Sequence, residues 1–256
     1  MTTLELKSNI IYGPVNSRRL GRSLGVNLLS PHYKLCSFDC VYCHFGRTAF
    51  TTRQAQFGDL PDEERVLGAV EGALRARRDF DYLTFSGNGE PTLHPRFPAI
   101  AAGIRALRDQ LRPDVKLTLL SNSTTAHLPH IVEALSLLDL PIMKLDAGDA
   151  RTFARVNRPA ADVAFEQIVA GLKRVPNLIV QSVLIDGALT NRRGDAFEHW
   201  LAALAAIKPT QVQIYSTDRP VPETGVEKVP PNALQHIAAE IERRTGLAVT
   251  AYWSQR

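Results

Sequence analysis

The chain has 256 residues, 45% of them hydrophobic and 22% charged, with a formal net charge of +4. That length and composition fit a soluble globular protein of one large α/β domain or two small ones, and exclude a disordered or fibrous chain. No apolar run approaches the ~20 residues that cross a bilayer. The opening residues lack a signal pattern, so a cytoplasmic protein with no membrane partner is expected.

Basic residues gather locally, as Arg18, Arg19 and Arg22, as Arg75 with Arg77 and Arg78, as Arg192 with Arg193, and as Arg243 with Arg244. Most read as solvated helix faces and loops. Arg18, Arg19 and Arg22 differ, because they lie in a Gly-punctuated stretch rather than on an evident helix face.

Apolar runs and amphipathic stretches then alternate along the chain. Residues 25–29 read as a first strand, followed at once by a cysteine-bearing loop. Pro61 and three acidic residues open a helix, where the dipole favours negative charge, and Val66, Val70 and Leu74 give it an apolar face. Strands are expected at 82–85, 115–120, 142–146, 178–185 and 211–215. The helices between them carry Phe97, Ile100 and Ile104, then Ile131 and Leu135, then Phe165, Ile168 and Leu172, then Trp200, Leu201 and Leu204. A Pro-rich loop (Pro220, Pro222, Pro230, Pro231), a helix near 232–244 and a short strand at 247–252 complete the chain.

Such strand–helix units predict parallel strands with right-handed crossovers. The expected fold is α/β, a partial (β/α)6 TIM-like barrel with a C-terminal helix and short strand. It is read as one domain over 1–256, with its core at about 20–220 and an extension over about 221–256. Buried parallel strands should be almost wholly apolar. Thr118 with Asn122, Lys144 with Asp146, and Gln211 with Gln213 break that rule at period-two spacing, which puts each set on one strand face. Facing the same way, they would line a polar cavity. Lys144 and Asp146 equally suit a structural ion pair, and Gln211 and Gln213 a solvated edge strand.

All three cysteines, Cys36, Cys40 and Cys43, fall within this first loop. An odd, clustered set does not suit a disulfide framework. It reads as soft ligands for one metal centre, either zinc, with His32, His44 or a remote group as fourth ligand, or an iron–sulfur cluster. After the second strand comes Gly87-Asn88-Gly89-Glu90-Pro91. In α/β folds that position lies at the C-terminal end of the sheet, where ligands bind. Its glycines would admit a ligand near the backbone, and Glu90 would offer a carboxylate.

The Cys-x-x-x-Cys-x-x-Cys loop with Tyr42 before its last cysteine, followed by this Gly-x-Gly-Glu-Pro, resembles the two leading motifs of the radical S-adenosylmethionine superfamily. The resemblance covers residues 20–220 or so. It implies that Cys36, Cys40 and Cys43 ligate a 4Fe-4S cluster whose remaining iron chelates S-adenosylmethionine. It further implies that Gly87, Asn88, Gly89 and Glu90 meet the methionine ammonium and that Tyr42 lies near the adenine. Ser121, Asn122, Lys144 and Asp146 match positions that touch the ribose or carboxylate, with Gln181 and Tyr215 as weaker candidates. The implied reaction is reductive cleavage to a 5′-deoxyadenosyl radical, fed by an electron donor such as flavodoxin or ferredoxin. By length and position, the loop at 44–60 and the Pro-rich loop at 216–231 read as lids or as simple connectors.

The segments at 13–26, 86–95 and 143–149, with Asn157-Arg158-Pro159, look like the subgroup that includes the wyosine-type tRNA-modifying enzymes. Those enzymes use further cysteines for a second cluster, and this chain has none. The favoured substrate is a nucleotide, an RNA base or another small molecule. The alternatives are an activase installing a glycyl radical on a partner protein and a non-enzymatic zinc or electron-transfer module.

Overall fold

A computed structural model describes residues 3–53, 57–76 and 79–254. Arg77, Arg78 and part of the expected 44–60 lid lie outside these. In chain order come strands β1 (Ile11–Ser17), β2 (Gly21–Val26), β3 (Leu35–Cys36) and β4 (Phe50–Thr51), then helix α1 (Glu63–Arg75). Next are β5 (Tyr82–Phe85), α2 (Phe97–Leu111), β6 (Lys116–Ser121), α3 (Pro129–Leu135) and β7 (Leu140–Lys144). Helices α4 (Ala150–Val156) and α5 (Phe165–Leu172) precede β8 (Ile179–Val183) and β9 (Ile185–Gly187). The chain continues through α6 (Gly194–Ile207), β10 (Gln211–Tyr215), β11 (Val226–Lys228), α7 (Pro231–Thr245) and β12 (Val249–Tyr252).

The main sheet has eight strands in the order β1-β2-β5-β6-β7-β8-β10-β12. From β2 to β12 every pairing is parallel, which gives the curled, open half-barrel that the strand–helix rhythm predicts. Strand β1, not expected from sequence, pairs antiparallel with β2 and slips register between Tyr12 and Val15. It contains Pro14, and an edge strand is where a missing N–H can be tolerated. The expected first strand, 25–29, lies further back at Gly21–Val26. Its ladder gives way to the Asn27 side chain, whose Oδ1 accepts from Leu29 N at 3.3 Å and Asn88 N at 3.1 Å.

Two further expectations are corrected. The strand at 178–185 stops at Val183, because Asn191 Nδ2 donates to Val183 O at 2.8 Å and its Oδ1 accepts from Ile185 N at 2.9 Å. Strand β9 then leaves to pair antiparallel with β11. Gln211 and Gln213 are not on an edge, since β10 lies between β8 and β12. Gln213 is buried and accepts a 3.0 Å hydrogen bond from Gln181 Nε2.

Register explains why the polar residues converge. Thr84 is opposite Thr118, Lys144 opposite Gln181, and Gln181 opposite Gln213. Cross-strand partners share a face, so these line the concave side. At alternate positions Leu83, Phe85, Leu117, Leu119, Val180, Val212 and Ile214 are buried towards the helices. One end of the concave side is plugged by Leu20, Ile142 and Ile179, with Tyr82, Leu120 and Leu140 packed on them. What remains open is the end where the parallel strands terminate.

Candidate active site

The cysteine loop leaves β3 through short turns, with Cys43 N donating to Cys40 O at 3.1 Å and Gly46 N to Cys43 O at 3.0 Å. It is clasped by the last residue of α4 and the segment after it. Val41 N donates to Val156 O at 3.0 Å, Asp39 N to Asn157 O at 3.1 Å, and Ala160 N to Ser37 O at 2.9 Å. Phe38 bridges Pro159, and Arg158 pairs with Glu223 at 2.9 Å. Asn157-Arg158-Pro159 is therefore the brace behind the cysteines.

The second motif is locked to the first through the backbone. Leu35 N donates to Asn88 O at 2.9 Å, and Glu90 N donates to Leu35 O at 3.0 Å. Gly89, at φ +144°, is required by this pairing: a Cβ there would fall 1.6 Å from Leu35 O. Gly87, at φ +142°, is pressed against Asn27, whose Oδ1 would lie 2.4 Å from an added Cβ. These glycines thus admit neighbouring segments of the chain itself.

A cavity of about 540 Å³ opens at the strand ends, lined by Cys36, Cys40 and Cys43 with Tyr42, Gly87, Gly89, Glu90, Ser121, Asn122 and Lys144. Gln181, Tyr215 and His44 also reach it. Asn88 and Asp146 do not line it. Asn88 Nδ2 donates to Lys7 O at 2.9 Å and Ser30 O at 2.8 Å, and its Oδ1 accepts from Lys7 N at 2.7 Å. Asp146 stands behind the wall, accepting from Tyr42 OH, from Asn157 Nδ2 at 2.7 Å and from Val183 N at 2.8 Å. Lys144 Nζ is 3.7 Å from Asp146 and 5.1 Å from the Tyr42 ring centroid.

Glu90 is buried, which pushes its carboxyl up, although the hydrogen bonds it accepts oppose this. Those come from Thr92 N at 3.0 Å, Thr92 Oγ1 at 2.6 Å, Ser121 Oγ at 2.9 Å and Asn122 N. The carboxylate fastens the Ser121-Asn122 turn to the Gly-x-Gly-Glu loop.

The thiols are held where ionisation is costly. Burial pushes Cys36 up to about 12 against the pull of Lys34, and Cys40 up to about 11, with Asp146 adding to the effect. A bound cation would reverse that bias, since thiolate is the form that binds metal. Amide groups already point at two of the sulfurs. Asn122 Nδ2 is 3.5 Å from Cys36 Sγ, and Asn157 Nδ2 is 3.4 Å from Cys40 Sγ. Hydrogen bonds to ligand sulfurs are one means by which proteins tune iron–sulfur clusters. Among the described residues, no group of three Cys, His, Asp or Glu side chains gathers around a single ion. Cys36, Cys40 and Cys43 all line the same cavity, and thiols are the donor type an iron–sulfur cluster takes.

Lys34 went unnoticed in the sequence. It is buried, lines the cavity and donates to Gly46 O at 2.8 Å. Burial alone would lower its pKa, but the Cys43 and Cys36 sulfurs beside it hold it above the usual value. Its position two residues before Cys36 was the available signal. The arginine group, by contrast, divides. Arg18 pairs with Asp218, and Arg22 with Asp79 and Asp81. Arg19 turns into the cavity.

The Radical SAM superfamily model matches residues 30–188. A UPF0026 protein of Synechocystis sp. is 36% identical over 222 residues, 83% of this chain and 77% of that protein. A Brachyspira hyodysenteriae protein named GTPase Obg is 28% identical over 85% of this chain, which spans only 31% of that longer protein. The solved structure of TYW1 with a lysine-pyruvate adduct bound superposes with a TM-score of 0.61 at 13% identity, covering 89% of this chain and 76% of the other. At that identity the likeness is one of fold. Among the described residues, no helix is long and apolar enough to cross a membrane.

Proposed function

The chain belongs to the Radical SAM superfamily, and from that premise we propose that it cleaves S-adenosylmethionine reductively at a 4Fe-4S cluster held by Cys36, Cys40 and Cys43. The observation that carries the reading is the interlock of the two motifs. The residue before Cys36 is hydrogen-bonded on both sides to the Gly-x-Gly-Glu loop, and both motifs face one cavity at the strand ends. When bound, the cluster and S-adenosylmethionine supply one-electron cleavage to a 5′-deoxyadenosyl radical that takes hydrogen from the substrate.

The chain's own residues orient and enclose. Asn122 and Asn157 hold two sulfurs by their amides, and Lys34 brings a cation beside them. Gly87, Gly89 and Glu90 form the wall on which an amino acid moiety would rest, with Ser121 and Asn122 beside them. Tyr42 and Tyr215 flank Lys144 at 5.1 and 5.8 Å and offer ring surface to a base or ribose. The partial enclosure keeps water from the reacting centre. A flavodoxin or ferredoxin is the proposed electron donor, and a nucleotide, RNA base or small molecule the proposed substrate.

The test is anaerobic. Reconstituted protein given dithionite and S-adenosylmethionine should release 5′-deoxyadenosine, and Cys40→Ala should abolish it. Release that persists in Cys40→Ala would sink the cluster assignment.

A further inference from the structure

The cavity wall away from the cysteines carries further positive charge. Arg19, in the turn between β1 and β2, stacks its guanidinium 4.3 Å from the Tyr215 ring centroid. Lys144 Nζ is 5.8 Å from the same ring and 5.1 Å from Tyr42. A row of alternating rings and cations thus runs from the cysteine loop to the far wall. Arg219, after β10, lines the same cavity.

Among the described residues, Lys7, Arg19, Lys34, Lys144 and Arg219 are the lysines and arginines of this lining, and Glu90 is its one carboxylate. Glu90 is already committed to Thr92, Ser121 and Asn122. Lys34 and Lys144 lie near the sulfurs, where they offset the negative charge that thiolate ligands bring. S-adenosylmethionine carries a sulfonium, an ammonium and a carboxylate, so it is cationic overall and leaves the arginines unanswered. Neither Arg19 nor Arg219 has a carboxylate partner among the described residues, whereas the adjacent Arg18 and Lys228 share Asp218. Arg19 is half-buried, where an unpaired cation is costly, while Arg219 is exposed; a guanidinium fork matches carboxylate or phosphate oxygens.

We propose that Arg19 and Arg219 bind the carboxylate or phosphate of a small anionic substrate, seated over Tyr215 and across it from Lys144. This rests on the radical S-adenosylmethionine reading and adds the substrate class. The cavity of about 540 Å³ has also to hold the cluster and S-adenosylmethionine, so the room left suits only a small molecule. Arg18 and Arg22, neighbours of Arg19 in sequence, are spent on aspartates.

The test is equilibrium dialysis of anaerobically reconstituted protein with S-adenosylmethionine present, at fixed ionic strength, with citrate and inorganic phosphate as probes. At least one should bind saturably, about tenfold or more weakly in Arg19→Gln/Arg219→Gln, with affinity recovered in Arg19→Lys/Arg219→Lys. Should the double variant not fold, Arg219→Gln alone, at an exposed position, carries the comparison. No saturable binding of either probe, or unchanged affinity in the Gln variant, overturns the proposal. So does tRNA binding that the Gln variant abolishes while neither probe binds. The two readings fail separately: wild-type protein that yields no 5′-deoxyadenosine contradicts the cofactor, while protein that yields it and binds no anion contradicts only the arginine site.

Discussion

Replacing Gly89 by alanine tests how the two motifs hold each other. The new Cβ would lie 1.6 Å from Leu35 O and 2.5 Å from Leu35 C, both backbone atoms, so the strands must separate. A side chain at φ +144° adds backbone strain of about 1–3 kcal/mol. Separation removes the hydrogen bonds Leu35 N to Asn88 O and Glu90 N to Leu35 O, at about 0.5–1.5 kcal/mol each. The expected loss is about 2–6 kcal/mol, set against the roughly 5–15 kcal/mol that holds a domain folded. Urea unfolding of the cluster-free protein, followed by far-UV circular dichroism, measures it, and thiol labelling reports whether buried Cys36 becomes reachable. Gly68→Ala is the control, because it lies exposed in α1 with nothing within 4 Å of an added Cβ, and should gain up to about 1 kcal/mol. A Gly89→Ala protein that loses under about 1 kcal/mol and keeps Cys36 protected would refute the interlock.

Asn157→Ala removes amide bonds to Asp146 at 2.7 Å and Tyr42 OH at 3.1 Å; a loss of about 1–3 kcal/mol is expected on urea unfolding. Lys34→Met takes a cation from beside the sulfurs, so the reconstituted cluster should have a more negative midpoint potential in an electron paramagnetic resonance titration; an unchanged or raised value contradicts the placement. Burial would push the Asp139 carboxyl up, but hydrogen bonds from buried Arg108 at 2.5 Å and Leu117 N at 2.7 Å bring it below the usual value. Its stabilisation is therefore complete above a pH of about 4 and fades as pH falls through the lowered folded pKa. Arg108→Met should destabilise at neutral pH and flatten that acid limb; parallel wild-type and variant stability curves between pH 5 and pH 2 would contradict the sign, the window being about that range.

Much of this was legible in the sequence where the signal is local. Lys144 and Gln213, which stood out by period-two polarity, share the concave face with Gln181 because parallel pairing sets them opposite one another. The three cysteines and the Gly-x-Gly-Glu stretch also announced themselves by spacing. What was not legible depends on long-range packing. Strand β1 lacks clean alternation and includes Pro14, so only its pairing with β2 defines it. Helix α4 buries just Phe153 and Val156, too little for a periodic pattern. Nothing in Asn88 or Asp146 tells whether an amide or carboxylate will face a ligand or brace a loop, and the structure gives both the bracing role. The need for glycine at 89 comes from Leu35, far away along the chain.

The central claim is that three cysteines hold a cluster with one iron left for S-adenosylmethionine, and Mössbauer spectroscopy of anaerobically reconstituted protein tests it most directly. About four irons per chain are expected, and adding S-adenosylmethionine should shift the signal of about a quarter of them while the rest stay unchanged. Spectra that do not respond to S-adenosylmethionine, or iron binding that survives replacement of all three cysteines, would contradict it.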